Sequence, residues 1–172
     1  RALIGTASGM MMDIPADAFG LSSGSKDRDR ENSMNITMNS RIAAITGGSK
    51  GRGLAMARQF AASGAKVAIL ARGAADLKAA RELLAGEGLQ VRDYVCDVSK
   101  AADIAKAHEK VAADLGPVDI LVNNAGTART MAFEAISDEA WQEDLDLKLF
   151  AAIRFSRLVW PGMKARKWGR II

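Results

Sequence analysis

Thr46-Gly47-Gly48-Ser49-Lys50-Gly51-Arg52-Gly53 follows a short apolar run at residues 42–45 and opens an alanine-rich stretch over 53–63. Strand, glycine-rich turn and helix in that order decide the fold. The glycines let the backbone turn tightly and approach a pyrophosphate. The helix start then offers unpaired N–H groups and the positive end of its dipole. An ordinary strand-to-helix turn also uses glycine. Context separates the two: a second apolar strand at 66–70 follows at the spacing of a βαβ unit.

Outward from this unit the pattern repeats. Gly64 suits a C-cap of the first helix. A second helix is predicted over 74–85, closed by Gly86 and Gly88, then a strand over 90–96 and a helix over 100–115. After the Gly116-Pro117 turn come a strand over 120–122, a continuous helix from 138 to about 164 with Pro161 near its end, and a fifth strand begun at 169–172. Strands alternating with helices of about 10–15 residues predict parallel βαβ units. The fold class is α/β: a Rossmann-like, doubly wound parallel sheet in three αβα layers, truncated within its fifth strand. Right-handed crossovers place helices on both faces, and the ligand crevice lies beyond the C-terminal strand ends where the strand order reverses. The loops after Ile45, Leu70, Cys96 and Val122 open on that edge.

Residues 1–38 differ from the rest. They scatter Gly, Ser and Met around the charge run Lys26-Asp27-Arg28-Asp29-Arg30-Glu31, and no apolar period persists. They read as a disordered leader or non-native extension, with Met34 or Met38 as plausible starts, and 39–172 as the folded domain. The apolar residues 2–4 are too few for a signal-peptide core. At 172 residues, 49% hydrophobic and 26% charged, the chain suits one soluble globular domain. No apolar run approaches the roughly 20 residues of a membrane span. The net charge of +4 is spread among acids and aromatics are few, which argues against a nucleic-acid surface. Cys96, the only cysteine, excludes an intrachain disulfide and a cysteine-rich metal site. It reads as a small buried hydrophobe, and a cytoplasmic location and no metal are expected. His108, between Lys106 and Glu109, reads as part of a solvated helix face.

Three motifs fall in order on the predicted ligand edge: Thr46-Gly47-x-x-x-Gly51-x-Gly53, Asp97-Val98 after the third strand, and Asn123-Asn124-Ala125-Gly126 after the fourth. Together they resemble the short-chain dehydrogenase/reductase family, in its 3-oxoacyl-carrier-protein reductase-like branch, from about residue 41 to 172. The resemblance implies that Gly47, Ser49, Lys50, Gly51, Arg52 and Gly53 cradle the phosphates of a dinucleotide. Arg52 stands where an aliphatic residue is usual. It further implies that Asp97 and Val98 meet the adenine, and that Asn124, Ala125 and Gly126 pack against the riboses and hold the central strand. Alternatives remain for each part alone: Asp97 or Ser99 as a helix N-cap, and Asn-Asn-Ala-Gly as a simple turn.

An acid at the end of the second strand would bind the ribose hydroxyls of NAD and repel a 2′-phosphate. Here that strand ends Leu70-Ala71-Arg72, with no acid until Asp76. Arg72 can fork onto a phosphate and Lys50 is a second cation nearby, so NADP(H) is favoured over NAD(H). The alternative is that both cations are merely solvated.

The resemblance also implies hydride transfer between the nicotinamide and a small-molecule carbonyl or secondary alcohol. A Tyr general acid/base, a Lys four residues after it and a Ser are expected beyond Ile172. Tyr94 is followed four residues later by Val98, so it is expected in core or rim packing. A fourth catalytic position, an Asn in the family, falls on Lys148 when counted from Trp141 or Pro161. An ammonium donates hydrogen bonds but accepts none. The alternative is a surface lysine paired with Asp144 one turn earlier. The full-length protein is expected to be a homodimer or homotetramer built on the helix 138–164, with no nucleic-acid or membrane partner. The 172-residue chain alone is expected to be inactive, with the edge of its fourth strand unpaired. The rival reading is a dinucleotide-binding module, or inactive fragment, that does no chemistry.

Overall fold

A computed structural model describes residues 37–127 and 132–172; the leader expected over 1–38 lies, as far as Ile36, outside the described residues. Residues 37–172 form one compact unit. Its centre is a five-stranded sheet, ordered β3-β2-β1-β4-β5, with every pairing parallel. The strands are β1 (Ile42–Thr46), β2 (Lys66–Ala71), β3 (Val91–Val95), β4 (Ile120–Val122) and β5 (Arg170–Ile171). The helices are α1 (Gly51–Ala62), α2 (Ala74–Gly86), α3 (Ala101–Asp114), α4 (Asp138–Leu145) and α5 (Ala151–Ala165).

All five residues of β1 are buried, because helices cover the sheet on both sides. The two-residue period of a strand divides them. Ile42 and Ala44 turn to the face holding Ile104 and Val111 of α3 and Phe155 and Val159 of α5. Ala43 and Ile45 turn to Ala57 of α1 and Leu77 and Leu84 of α2. A central strand written in small and β-branched residues therefore serves two layers at once.

The helix expected over 138–164 forms over 138–165, as α4, a π-helical turn at Asp146–Phe150 and α5, which runs on through Pro161; three other expectations are corrected. Asp146 anchors that turn, accepting from Gln142 Nε2 at 3.2 Å and Arg154 Nη2 at 2.9 Å. The edge of β4 is not left unpaired. β5 covers it, with Arg170 N–H donating to Asp119 O at 3.0 Å and Ile172 N–H to Leu121 O at 2.9 Å. His108 is half-buried rather than on a solvated face, its ring edge-on to Phe155 with centroids 6.3 Å apart. Burial pushes its pKa down, partly opposed by Glu109. Met38, placed in the leader by the sequence, packs against the α1/α2 face, and its N–H donates to Ser63 O at 2.7 Å.

Among the described residues no helix is long and apolar enough to cross a membrane.

Candidate functional site

The strand order runs outward from β1 to β2 and β3 on one side and to β4 and β5 on the other. The reversal therefore lies between β1 and β4, and the crevice beyond their C-terminal ends is the expected ligand position. Thr46 ends β1 there, 4% exposed. Its Oγ1 donates to Val122 O at 3.2 Å and accepts from the N–H groups of Asn124 and Ala125, each at 3.0 Å. Asn124 returns the tie: its Nδ2 donates to Thr46 O at 3.0 Å and Gly47 O at 3.2 Å. Thr46 and Asn124 thus lock the loop after β1 to the loop after β4. The Asn124 side-chain amide is committed to that lock.

The first half of the glycine run, Gly47 to Lys50, turns ahead of the helix, and from Gly51 the run is the first turn of α1. Gly47 and Gly51 take φ of +66° and +53°, a left-handed backbone that side chains disfavour. Gly53 has a different reason: a Cβ there would run into the Gly47 carbonyl and come within 2.6 Å of Asn124 Nδ2. Around Gly51 a Cβ would meet nothing. The helix so begun has no side-chain cap at Lys50 and no acid in its first turn. By contrast α2, α3 and α4 carry Asp76, Asp103 and the pair Asp138 and Glu139 in theirs.

Beside this helix start lies a cleft of about 390 Å³, lined by Gly47, Ser49, Lys50, Arg72, Asp76, Val98, Ala125 and Gly126 among others, including Cys96. Burial pushes the Cys96 thiol up to about 11, so it stays protonated and behaves as an apolar wall. Asp97 lines an adjoining hollow of about 430 Å³ that shares Arg72 and continues to Asp144, Asp146 and Leu147. It is not the N-cap of α3; Lys100 holds that place. Asp97 Oδ1 instead accepts from Ser99 N at 3.1 Å and Ser99 Oγ at 2.8 Å. Burial pushes its carboxyl up, but those two bonds with the charges of Arg72 and Lys100 outweigh it and hold the pKa below its usual value. A carboxylate so held is an acceptor facing the hollow at neutral pH.

The structure does not bring every expected residue together. Arg52 lines a different hollow, with Ala55, Met56, Val122 and Ile172. Gly53 is buried, shaping the loop rather than facing the cleft. Lys148 sits in the π turn, beside Thr46, Asn123 and Ala125 at a small gap on the same sheet edge. Its Nζ is 2.8 Å from Asp144 Oδ1, the ion pair of the alternative reading. Tyr94 lies away from the cleft, its hydroxyl donating to Asp114 Oδ2 at 3.0 Å, with burial and Asp114 pushing its pKa far up. Among the described residues no group of three His, Cys, Asp or Glu side chains could hold a metal ion.

Sequence reasoning gave no task to two residues. Thr46 was legible only as the start of the glycine run, and its three-way hydrogen bonding depends on a partner loop 78 residues away. Asp76 is marked in the sequence only as the first acid after the second strand, yet its carboxylate lines the cleft and meets Lys50 Nζ at 2.8 Å.

Residues 41–172 match the family model for short chain dehydrogenase. D-beta-hydroxybutyrate dehydrogenase of Cupriavidus necator is 39% identical over 135 residues, 78% of this chain and 52% of that protein. The 3-oxoacyl-[acyl-carrier-protein] reductase of Escherichia coli is 36% identical over 132 residues, 77% of this chain and 53% of that protein. The solved structure of L-sorbose reductase from Gluconobacter frateurii, complexed with NADPH and L-sorbose, superposes with a TM-score of 0.76 at 37% identity, covering 80% of this chain and 53% of that one. This chain spans about half the length of the curated relatives it matches. A family match over all of the strands and helices, on a doubly wound sheet with its glycine run at the switch point, shows that the chain belongs to the short-chain dehydrogenase/reductase family.

Proposed function

We propose that this chain is the cofactor-binding half of an NADP(H)-dependent oxidoreductase that moves hydride between nicotinamide and a small-molecule carbonyl or secondary alcohol. The observation that carries the reading is the start of α1. It alone among α1 to α4 lacks an acid in its first turn, and Gly47, Ser49 and Lys50 at that start line a cleft that also holds Arg72. A pyrophosphate supplies the negative charge such a helix end lacks. Gly51 adds no side chain at that helix start, and a Cβ there would meet nothing.

When bound, the cofactor supplies the hydride chemistry; this chain's residues supply position. Gly47, Ser49, Lys50 and Gly51 hold the phosphates, and Gly53 and Asn124 keep that loop in shape. Arg72 reads the 2′-phosphate, Asp97 and Val98 the adenine, and Ala125 and Gly126 the riboses. The NADPH in the L-sorbose reductase and actinorhodin polyketide ketoreductase structures supports the preference. Lys148, at the same edge and paired with Asp144, donates hydrogen bonds where the family has an amide, and accepts none. Trp141, Leu145 and Leu149, one turn apart and exposed across α4 and the π turn, support a homodimer or homotetramer built on this helical arm. The single, unbridged Cys96 fits a cytoplasmic setting.

Titration of NADPH and NADH by nicotinamide fluorescence tests the cofactor reading. Arg72→Ala is expected to weaken NADPH binding about tenfold or more, on the scale of one charge-assisted phosphate contact, and NADH binding less than about twofold. Equal losses for both cofactors refute the assignment of Arg72.

A further inference from the structure

We infer that Asp76 is a specificity-determining residue that sets how strongly this cleft favours a 2′-phosphorylated dinucleotide, by holding Lys50 in an ion pair the phosphate must break. The inference rests on the cofactor reading above. Lys50 stands immediately before α1 and Asp76 lies in the first turn of α2, so their 2.8 Å contact spans the starts of two helices beyond the end of β2. The Asp76 carboxylate is folded back against Gly73, where a Cβ would come within 3.1 Å of Oδ2. Lys50, Arg72, Gly73 and Asp76 all line the same cleft.

Two cations are therefore present, but one is already neutralised. The other, Arg72, shares the adjoining hollow with Asp97 and helps hold that carboxyl ionised. A 2′-phosphate entering this cleft must draw Lys50 away from Asp76 and then lie near a carboxylate that has lost its partner. A ribose with a free hydroxyl meets no such cost, because a carboxylate accepts from a hydroxyl. Asp76 thus opposes the phosphate twice, by competing for Lys50 and by like-charge repulsion. Both partners are solvated, their side chains 72% and 46% exposed, so the effect is of surface ion-pair size and is screened by salt.

The test is the ratio of NADPH to NADH affinity for the full chain, by fluorescence titration at low and high salt. Asp76→Asn is expected to raise that ratio about two- to fivefold at low ionic strength, and the gain should shrink near 1 M salt. Asp76→Glu keeps the charge and should keep the wild-type ratio. Lys50→Met leaves Asp76 unopposed and should lower the ratio, which keeps the inference testable if Asp76→Asn fails to fold. An unchanged ratio in Asp76→Asn, or in Lys50→Met, overturns the inference while the cofactor reading stands. A wild-type chain that binds neither cofactor overturns the cofactor reading and this inference with it.

Discussion

Replacing Thr46 by Val tests how the two loops of the cleft are held together. Valine matches threonine in size and branching, so no cavity forms and β1 keeps its strand preference. What is lost is one hydroxyl that makes three hydrogen bonds. The N–H groups of Asn124 and Ala125 lose their acceptor in a part-buried setting, and Val122 O loses a donor. An orphaned buried donor costs about 1–3 kcal/mol, and partial exposure keeps each near the lower end. The sum is about 2–4 kcal/mol. For a unit of this size that is a fall of roughly 8–16 °C in melting temperature. Circular dichroism melts and urea titration of wild type, Thr46→Val and Thr46→Ser measure it. The serine variant keeps the hydroxyl and should lose no more than about 1 kcal/mol. NADPH affinity should fall in Thr46→Val, because the loops that shape the cleft are no longer tied. A valine variant that melts within about 2 °C of wild type would show that the hydroxyl is not the tie.

The two helix-opening glycines should differ under substitution. Gly53→Ala puts a methyl group against the Gly47 carbonyl and should cost more than about 2 kcal/mol and abolish cofactor binding. Gly51→Ala meets open space and should cost about 1–2 kcal/mol through its left-handed backbone alone; equal losses in urea titrations would contradict the geometry. His108 gives an acid-sensitive contribution to stability. Burial lowers its pKa in the folded state, so the unfolded chain binds the proton first. That contribution is complete above the unfolded pKa of about 6.5 and is lost as pH falls below it toward the folded value. His108→Gln should flatten the stability profile between about pH 7 and 5, and an unchanged slope would assign it to other groups.

Local signals carried much of the architecture. The two-residue period of Ile42-Ala43-Ala44-Ile45, the glycine run and the strand–helix alternation were enough for parallel βαβ units and the edge on which a site must lie. Segments were short enough that their ends shifted by only a residue or two, as where Gly51 rather than Gly53 opens α1. The glycine run and the turns after the third and fourth strands were legible as turns because each motif shapes the backbone within a few neighbours. Chain spacing could not show what those neighbours meet once folded.

That second part belonged to tertiary structure. Asp76 lies far from Lys50 along the chain, but the first turn of α2, packed back against Gly73, brings the carboxylate to Lys50. Arg52, two residues after Lys50, lines another hollow because residues two apart on a helix face about 200° apart. His108 faces Phe155 because α3 packs beside α5, and β4 gains β5 through pairings between segments far apart in the chain. The π turn at Asp146–Phe150 leaves no mark in a 3.6-residue period, since Gln142 and Arg154 reach Asp146 from the helices on either side. The sequence determined which backbone conformations were locally cheap. The pair of Lys148 with Asp144 one turn earlier was within reach of the sequence. For charges on different elements, such as Lys50 and Asp76, long-range packing decided which meet, because Coulomb energy depends on distance in space and not on separation along the chain.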